Sequence, residues 1–307
     1  MPGPGPARPW RGGLEGQSPS KKSNFMSMDG NFLPPAAIAA YASEAGVRKT
    51  ALSPADQFVL GILAGAFIAF AAQGSTMAAF NLLADPSTFG LGRCLAGVVF
   101  PTGLMLVVLA GGELFTGNTL MGIALVQRRI SMGSMLANWF WVYVGNFVGS
   151  LLLAYMMVES GLFKSGNNLF GGVSISIAVS KVSLPFTAAF FLGILCNWLV
   201  CLAVWIAYGA KDIAGKILGI FFPIWLFITS GFEHCIANMY YIPVGILAKS
   251  NPAWAAASGL PASALETLTW TNFLFANLLP VTLGNIVGGL LFVGMAYWFV
   301  YLRGCSK

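Results

Sequence analysis

Charge is what this sequence has least of. Only 8% of its 307 residues are Asp, Glu, Lys or Arg, where an average soluble domain carries about a quarter. Beside a hydrophobic content of 57%, that excludes a water-soluble globule and points to a membrane protein. Histidine occurs once, and neither H-E-x-x-H nor G-x-S-x-G appears, so no metalloprotease or hydrolase signature is present. The five cysteines, Cys94, Cys196, Cys201, Cys235 and Cys305, form no C-x-x-C pair. They read as small thiols in apolar surroundings, with no disulfide framework, metal site or cofactor implied. The net charge of +6 comes from basic residues scattered over loops, which sets topology and does not indicate a nucleic-acid partner.

What remains is apolar sequence with aromatic ends. Residues 1–30 are rich in Pro, Gly and Ser and lack the apolar run of a signal peptide, so a disordered extension is expected, with Met26 or Met28 as alternative starts. Pro34 and Pro35 open a short helix with Ile38, Tyr41, Ala42 and Ala45 on one face and Gly46 closing it, suited to lie on a membrane surface. Six apolar segments follow, each long enough for the roughly 20 residues of a spanning helix: 57–83, 95–125, 135–158, 184–208, 217–247 and 270–301. Trp139, Tyr143, Trp205, Tyr208, Trp298 and Tyr301 near their ends suit interfacial belts. Arg48, Lys49, Arg128, Arg129, Lys211, Lys216, Arg303 and Lys307 fall on one side and only Arg93, Lys164, Lys181 and Lys249 on the other. Both termini are therefore expected in the cytoplasm of a multi-pass inner (plasma) membrane protein.

The single 31–307 domain contains an internal repeat. Gly145-Asn146-Phe147-Val148-Gly149 in the third span recurs as Gly284-Asn285-Ile286-Val287-Gly288 in the sixth. Glu113 precedes Asn118 in the second span as Glu233 precedes Asn238 in the fifth, with Pro101 and Pro223 upstream. Two copies of a three-span unit, about 57–158 and 184–301, must enter the membrane in opposite senses, as in inverted-repeat transporters. The fold expected is all-α and aquaporin-like, with six transmembrane helices and the second and fifth broken. Gly111-Gly112-Glu113 and Ser230-Gly231-Phe232-Glu233-His234 mark the breaks, because unwound backbone at membrane depth survives only inside protein or along a cavity. An ionisable pair there, Glu233-His234, marks a pathway.

Leu114-Phe115-Thr116-Gly117-Asn118-Thr119, Cys196-Asn197-Trp198-Leu199-Val200-Cys201 and Gly231-Phe232-Glu233-His234-Cys235-Ile236-Ala237-Asn238 resemble the signature stretches of the formate/nitrite transporter family, in the same order. The resemblance runs from about Asn31 to Arg303. It implies a homopentamer of six-helix protomers in membrane lipid, each with its own pore for small monovalent anions or their conjugate acids. It implies His234 facing that pore beside Thr116, and Asn197 lining it. It implies apolar constrictions at Leu104 and Leu114 toward the cytoplasm and at Phe115, Val200 and Phe227 toward the outside. Lys49 and Lys181 would be vestibule lysines that attract anions. The residues after Thr116 vary among subfamilies, so the motif leaves the anion open among formate, nitrite, hydrosulfide and short monocarboxylates.

Physical chemistry gives these residues work. A bare anion in a dry constriction carries an idealised cost of about 20 kcal/mol, which the neutral acid avoids. An imidazole is suited to relay the proton, and a threonine hydroxyl to hold the substrate oxygen. Glu113, Asn118, Glu233 and Asn238 are expected to support the broken helices by accepting from exposed backbone N–H groups. Two rival readings exist. Asn251-Pro252-Ala253 is the hallmark of water channels, but they need it twice and this copy stands alone in an external loop. A hydrolase using His234 and Cys235 would need adjacent helical residues to converge, which helix geometry opposes.

Overall fold

In the computed structural model, which describes Gly30 and residues 32–304, local sequence decides where each helix begins. The expected disorder of 1–30 and Cys305 lie outside that range, Gly30 excepted. Pro35 sits at the first position of α1 (Pro35–Thr50), where its missing N–H costs nothing. Ser53 caps α2 (Pro54–Leu83) by accepting from Asp56 N at 3.1 Å. Ser131 caps the long α5 (Met132–Glu159) in the same way. Between them run α3 (Phe89–Gly111) and the half-length α4 (Phe115–Val126). The second half repeats the series: α6 (Leu169–Val182), α7 (Phe186–Gly209), α8 (Ile213–Ser230, capped by Asp212), the half-length α9 (Cys235–Ala248) and α10 (Asn272–Tyr301). Six of these helices are long and apolar enough to cross a membrane, which makes this an integral membrane protein. The described residues 32–304 form one compact unit.

Both breaks fall where the glycines stand. The last turn of α3 widens to i→i+5 bonding at Val107–Gly111, Gly111 turns left-handed at φ 94°, and the chain runs extended to Leu114. In the other half Gly231, at φ 82°, ends α8, and the chain runs extended to His234. Leu114 (φ −110°, ψ 120°) and His234 (φ −114°, ψ 116°) occupy the same backbone position in the two copies. Two differences from the sequence expectation stand out. α1 does not end at Gly46, because this glycine packs against Met121 and Ala124 of α4, where a Cβ would sit 3.0 Å from that of Ala124. That contact buries α1 against the bundle. α6 was not foreseen at all, and it makes each copy five helices: α1 to α5 and α6 to α10.

The Gly-Asn repeat joins the copies' long helices. A Cβ on Gly145 would lie 2.5 Å from Phe58 O, and one on Gly284 would lie 2.1 Å from Phe190 O. Only glycine permits the α2–α5 and α7–α10 axes to come so close. Closeness lets the next residue reach through. Asn146 Nδ2 donates to Gly61 O at 2.8 Å and Glu113 O at 2.9 Å, while its Oδ1 accepts from Phe115 N at 3.0 Å. Asn285 does the same with Gly193 O at 2.8 Å, Glu233 O at 3.0 Å and Cys235 N at 2.9 Å.

Each asparagine thus serves three buried backbone groups, and orphaning such a group costs about 1–3 kcal/mol. Asn146→Ala and Asn285→Ala are expected to lower thermal stability in detergent by similar amounts, about 3 kcal/mol or more each. The Asp variants should be worse, since they set an oxygen against two carbonyls. Thermal unfolding of the four variants decides it; an aspartate that matched or outperformed alanine would contradict these assignments.

Candidate functional site

With the backbone held by asparagines, the acidic residues at the breaks are released for another use. Glu113 Oε1 accepts from Lys49 Nζ at 2.6 Å and its Oε2 from Asn118 Nδ2 at 2.7 Å. The same Asn118 amide donates to Asn138 Oδ1 at 2.8 Å, and Asn138 returns to Lys49 O at 3.4 Å. The second copy repeats the ring atom for atom. Lys181 Nζ reaches Glu233 Oε1 at 2.6 Å, Asn238 Nδ2 reaches Glu233 Oε2 and Asn277 Oδ1 at 2.7 Å each, and Asn277 returns to Lys181 O at 2.9 Å. The carboxylates do not cap backbone N–H groups, as the sequence suggested; that task is done by Asn146 and Asn285. They pair instead with the two lysines, which are therefore not lone cations. Asn138 and Asn277 were missed, although they stand at equal spacing before the two Gly-Asn motifs.

Two cavities open on either side of this frame. One, of about 370 Å³, is lined by Arg48, Lys49, Leu104, Glu113, Leu114 and Tyr208. The other, of about 610 Å³, is lined by Arg93, Lys181, Phe227, Glu233, His234 and Tyr241 among others. The pseudo-symmetry that relates α1 to α6 relates the Lys49 cavity to the Lys181 cavity.

The wall between them is where the copies differ. His234 replaces Leu114 at the start of the second half-helix, and there its Nδ1 accepts from Ala237 N at 3.1 Å. An accepting Nδ1 carries no proton, so the neutral ring holds its N–H at Nε2. Nε2 lies 3.1 Å from Thr116 Oγ1, and this N–H donates to the hydroxyl. The threonine's own proton is left to be offered to a third group. Thr116 is fully buried and is fixed from behind: its carbonyl accepts from Thr119 Oγ1 at 2.7 Å, Asn197 Nδ2 at 3.1 Å and Cys201 Sγ at 3.4 Å. The Phe227 ring stacks 6.0 Å from the imidazole and meets Phe100 edge-on at 5.6 Å. Phe100 was not foreseen; its only sequence signal is its place before Pro101.

Four expected pore residues, Thr116 among them, line neither cavity. Phe115 lies edge-on between Trp139 at 5.7 Å and Tyr143 at 4.8 Å, an aromatic cluster that holds α4 to α5. Val200 is buried in the core. Asn197, 0% exposed, spends its amide on Thr116 O, Thr119 Oγ1 and Asn285 O, which fixes the Thr116 carbonyl. Leu104 and Leu114 do line the Lys49 cavity, and Phe227 the Lys181 cavity. Asn251 caps a six-residue helix through Ala253 N and Trp254 N, which accounts for the Asn-Pro-Ala motif as a local turn. Among the described residues no group of His, Cys, Asp and Glu is arranged to hold a metal ion.

Known proteins resemble the chain over nearly their whole length. The chain is 41% identical over 280 residues to the formate channel FocA of Escherichia coli K12, covering 89% of this chain and 96% of that one. It is 40% identical to a probable formate transporter of Methanothermobacter thermautotrophicus, covering 90% of this chain and all of the other. A solved structure described as a pentameric formate channel with formate bound superposes with a TM-score of 0.75 at 39% identity, over 81% of this chain and 98% of that one. With the sequence model described as formate/nitrite transporter matching residues 36–299, the chain belongs to the formate/nitrite transporter family.

Proposed function

We propose that this protein passes formate, or a similar small monovalent anion such as nitrite or hydrosulfide, across the membrane as the neutral acid. The observation that carries the reading is the His234–Thr116 hydrogen bond of 3.1 Å in the wall between two cavities. An anion entering either cavity stays hydrated until it meets Leu104 and Leu114 on one side or Phe227 on the other. Beyond them it must shed water, and the bare charge faces an idealised penalty of about 20 kcal/mol. Desolvation raises the anion's own proton affinity at that place. His234 lines the Lys181 cavity, and the Thr116 O–H, which accepts from His234 Nε2–H, is the hydroxyl donor this pair offers to a carboxylate oxygen. Water in the cavity the anion leaves supplies the proton, which passes along this line with ring and hydroxyl ending as they began; the substrate crosses as the acid, and water in the far cavity takes the proton back.

The Lys49–Glu113 and Lys181–Glu233 pairs hold the half-helices at the distance this wall requires, and each lysine keeps its ammonium at a cavity mouth. The protein is read as a homopentamer with one pore per protomer, as the pentameric relative supports, and with both termini in the cytoplasm, as the distribution of basic residues supports. The process is transport without a covalent step, so no enzyme activity is assigned. A water channel is disfavoured because the wall presents an ionisable relay and the Asn-Pro-Ala motif is only a helix cap.

Asn fits the cap that His234 provides, so His234→Asn is expected to fold. It should lower acid-coupled formate uptake into proteoliposomes by about 100-fold, the low end for a lost proton relay, and flatten its dependence on pH. Unchanged pH dependence would contradict the relay. Leu104→Ala combined with Phe227→Ala should widen the apolar slit and admit chloride, which has no neutral form to exploit. Chloride flux equal to that of the wild type would show that these side chains do not form the barrier.

A further inference from the structure

Each cavity is lined by two cations and one carboxylate: Lys49, Arg48 and Glu113 in one, Lys181, Arg93 and Glu233 in the other. The lysines and glutamates are paired at 2.6 Å in both, so each pair contributes a dipole with little net field at a distance. What remains is one arginine per cavity. Among the described residues neither Arg48 nor Arg93 lies within salt-bridge distance of a carboxylate.

Their surroundings are built to hold them in place. Arg93, in the second turn of α3, donates through Nη2 to Ile228 O, a carbonyl at the end of α8 that also accepts from Gly231 N at 3.1 Å. That position also places its charge at the negative end of the α8 dipole. The left-handed Gly231 makes room, for a Cβ there would stand 3.0 Å from the same nitrogen. A guanidinium carries five N–H donors in a fixed plane, so donors remain beyond the one spent on Ile228 O, and the side chain lines the cavity that contains His234. Arg48 lies over the Tyr41 ring at 5.0 Å, and Tyr41 packs on Tyr208, a wall residue of the other cavity, at 5.0 Å. Arg48 is exposed, as a collecting charge at a mouth must be.

We propose that Arg93 and Arg48 are the anion-collecting residues of the two cavities, each setting the concentration of substrate anion on its own side of the wall, while the two lysines serve the half-helix frame. The inference rests on the functional reading above. A fixed charge of this kind raises the local anion concentration without touching the barrier. It therefore acts on half-saturation and not on maximal flux, and salt weakens it as the Debye length falls from about 30 Å at 0.01 M to about 3 Å at 1 M.

The test is formate flux through the full-length protein in planar bilayers, with formate added to one side at a time. Arg93→Gln keeps an amide donor for Ile228 O. It is expected to raise the half-saturation concentration about fivefold from one side only at low salt, with the effect shrinking to within about twofold at 1 M. Arg48→Gln should do the same from the opposite side, and Arg93→Lys should restore the wild-type value within about twofold. Unchanged half-saturation in both Gln variants, or a fall in maximal flux alone, would overturn the proposal. If Arg93→Gln fails to assemble, Arg48→Gln decides it alone, since that exposed side chain supports no buried group. Absence of saturable flux of formate, nitrite or hydrosulfide in the wild type would instead sink the functional reading.

Discussion

Two helices stop in the middle of a membrane protein, and the backbone groups they leave open have no water to turn to. An unpaired N–H or C=O in that setting costs several kcal/mol. Everything at the centre of this protein follows from meeting that cost twice, once for each half. Asn146 and Asn285 close the gap with three hydrogen bonds apiece. They can do so only because Gly145 and Gly284 let α5 and α10 press against α2 and α7. The Lys-Glu-Asn-Asn rings then tie each half-helix to its α1- or α6-type neighbour. A break that would be fatal in lipid becomes a hydrogen-bonded joint.

Symmetry builds the frame and asymmetry gives it chemistry. At equivalent backbone positions one half carries Leu114 and the other His234. Two residues further on, one carries Thr116 and the other Ile236. Had both halves kept the apolar version, the wall would be a plain hydrophobic plug. Had both carried the polar version, two imidazoles would face each other across a dry gap. One histidine against one threonine leaves a single directed line of donors, from Nε2–H to the Thr116 hydroxyl. The supports are equally specific: Ala237 N fixes the ring, and Thr119, Asn197 and Cys201 fix the threonine's carbonyl.

Much of this was legible in the sequence, for reasons that also explain what was not. The six spans could be drawn because lipid demands length and apolarity, and the breaks because glycines flank an acidic residue in each copy. His234 stood out as the only imidazole. α6 escaped because its 14 residues are too few to span a bilayer, and its kinship with α1 rests on tertiary contacts. The lysine–glutamate pairs join residues 64 and 52 positions apart, beyond any local pattern, so the carboxylates were given to the backbone by default. Phe115 and Val200 were assigned to constrictions by resemblance. One-dimensional spacing could not show that Phe115 packs edge-on between Trp139 and Tyr143 or that Val200 is buried.

The central claim is the state of one ring: neutral, unprotonated at Nδ1 and donating from Nε2 to Thr116. Because the sequence contains a single histidine, ¹⁵N-histidine labelling of the untagged protein in bilayers reports on that ring alone. Solid-state NMR at neutral pH should show Nδ1 as an unprotonated, hydrogen-bond-accepting nitrogen and Nε2 as a protonated one, with the Nε2 resonance shifting in Thr116→Ala. A spectrum with Nδ1 protonated, as the opposite tautomer or as the imidazolium, would contradict the account.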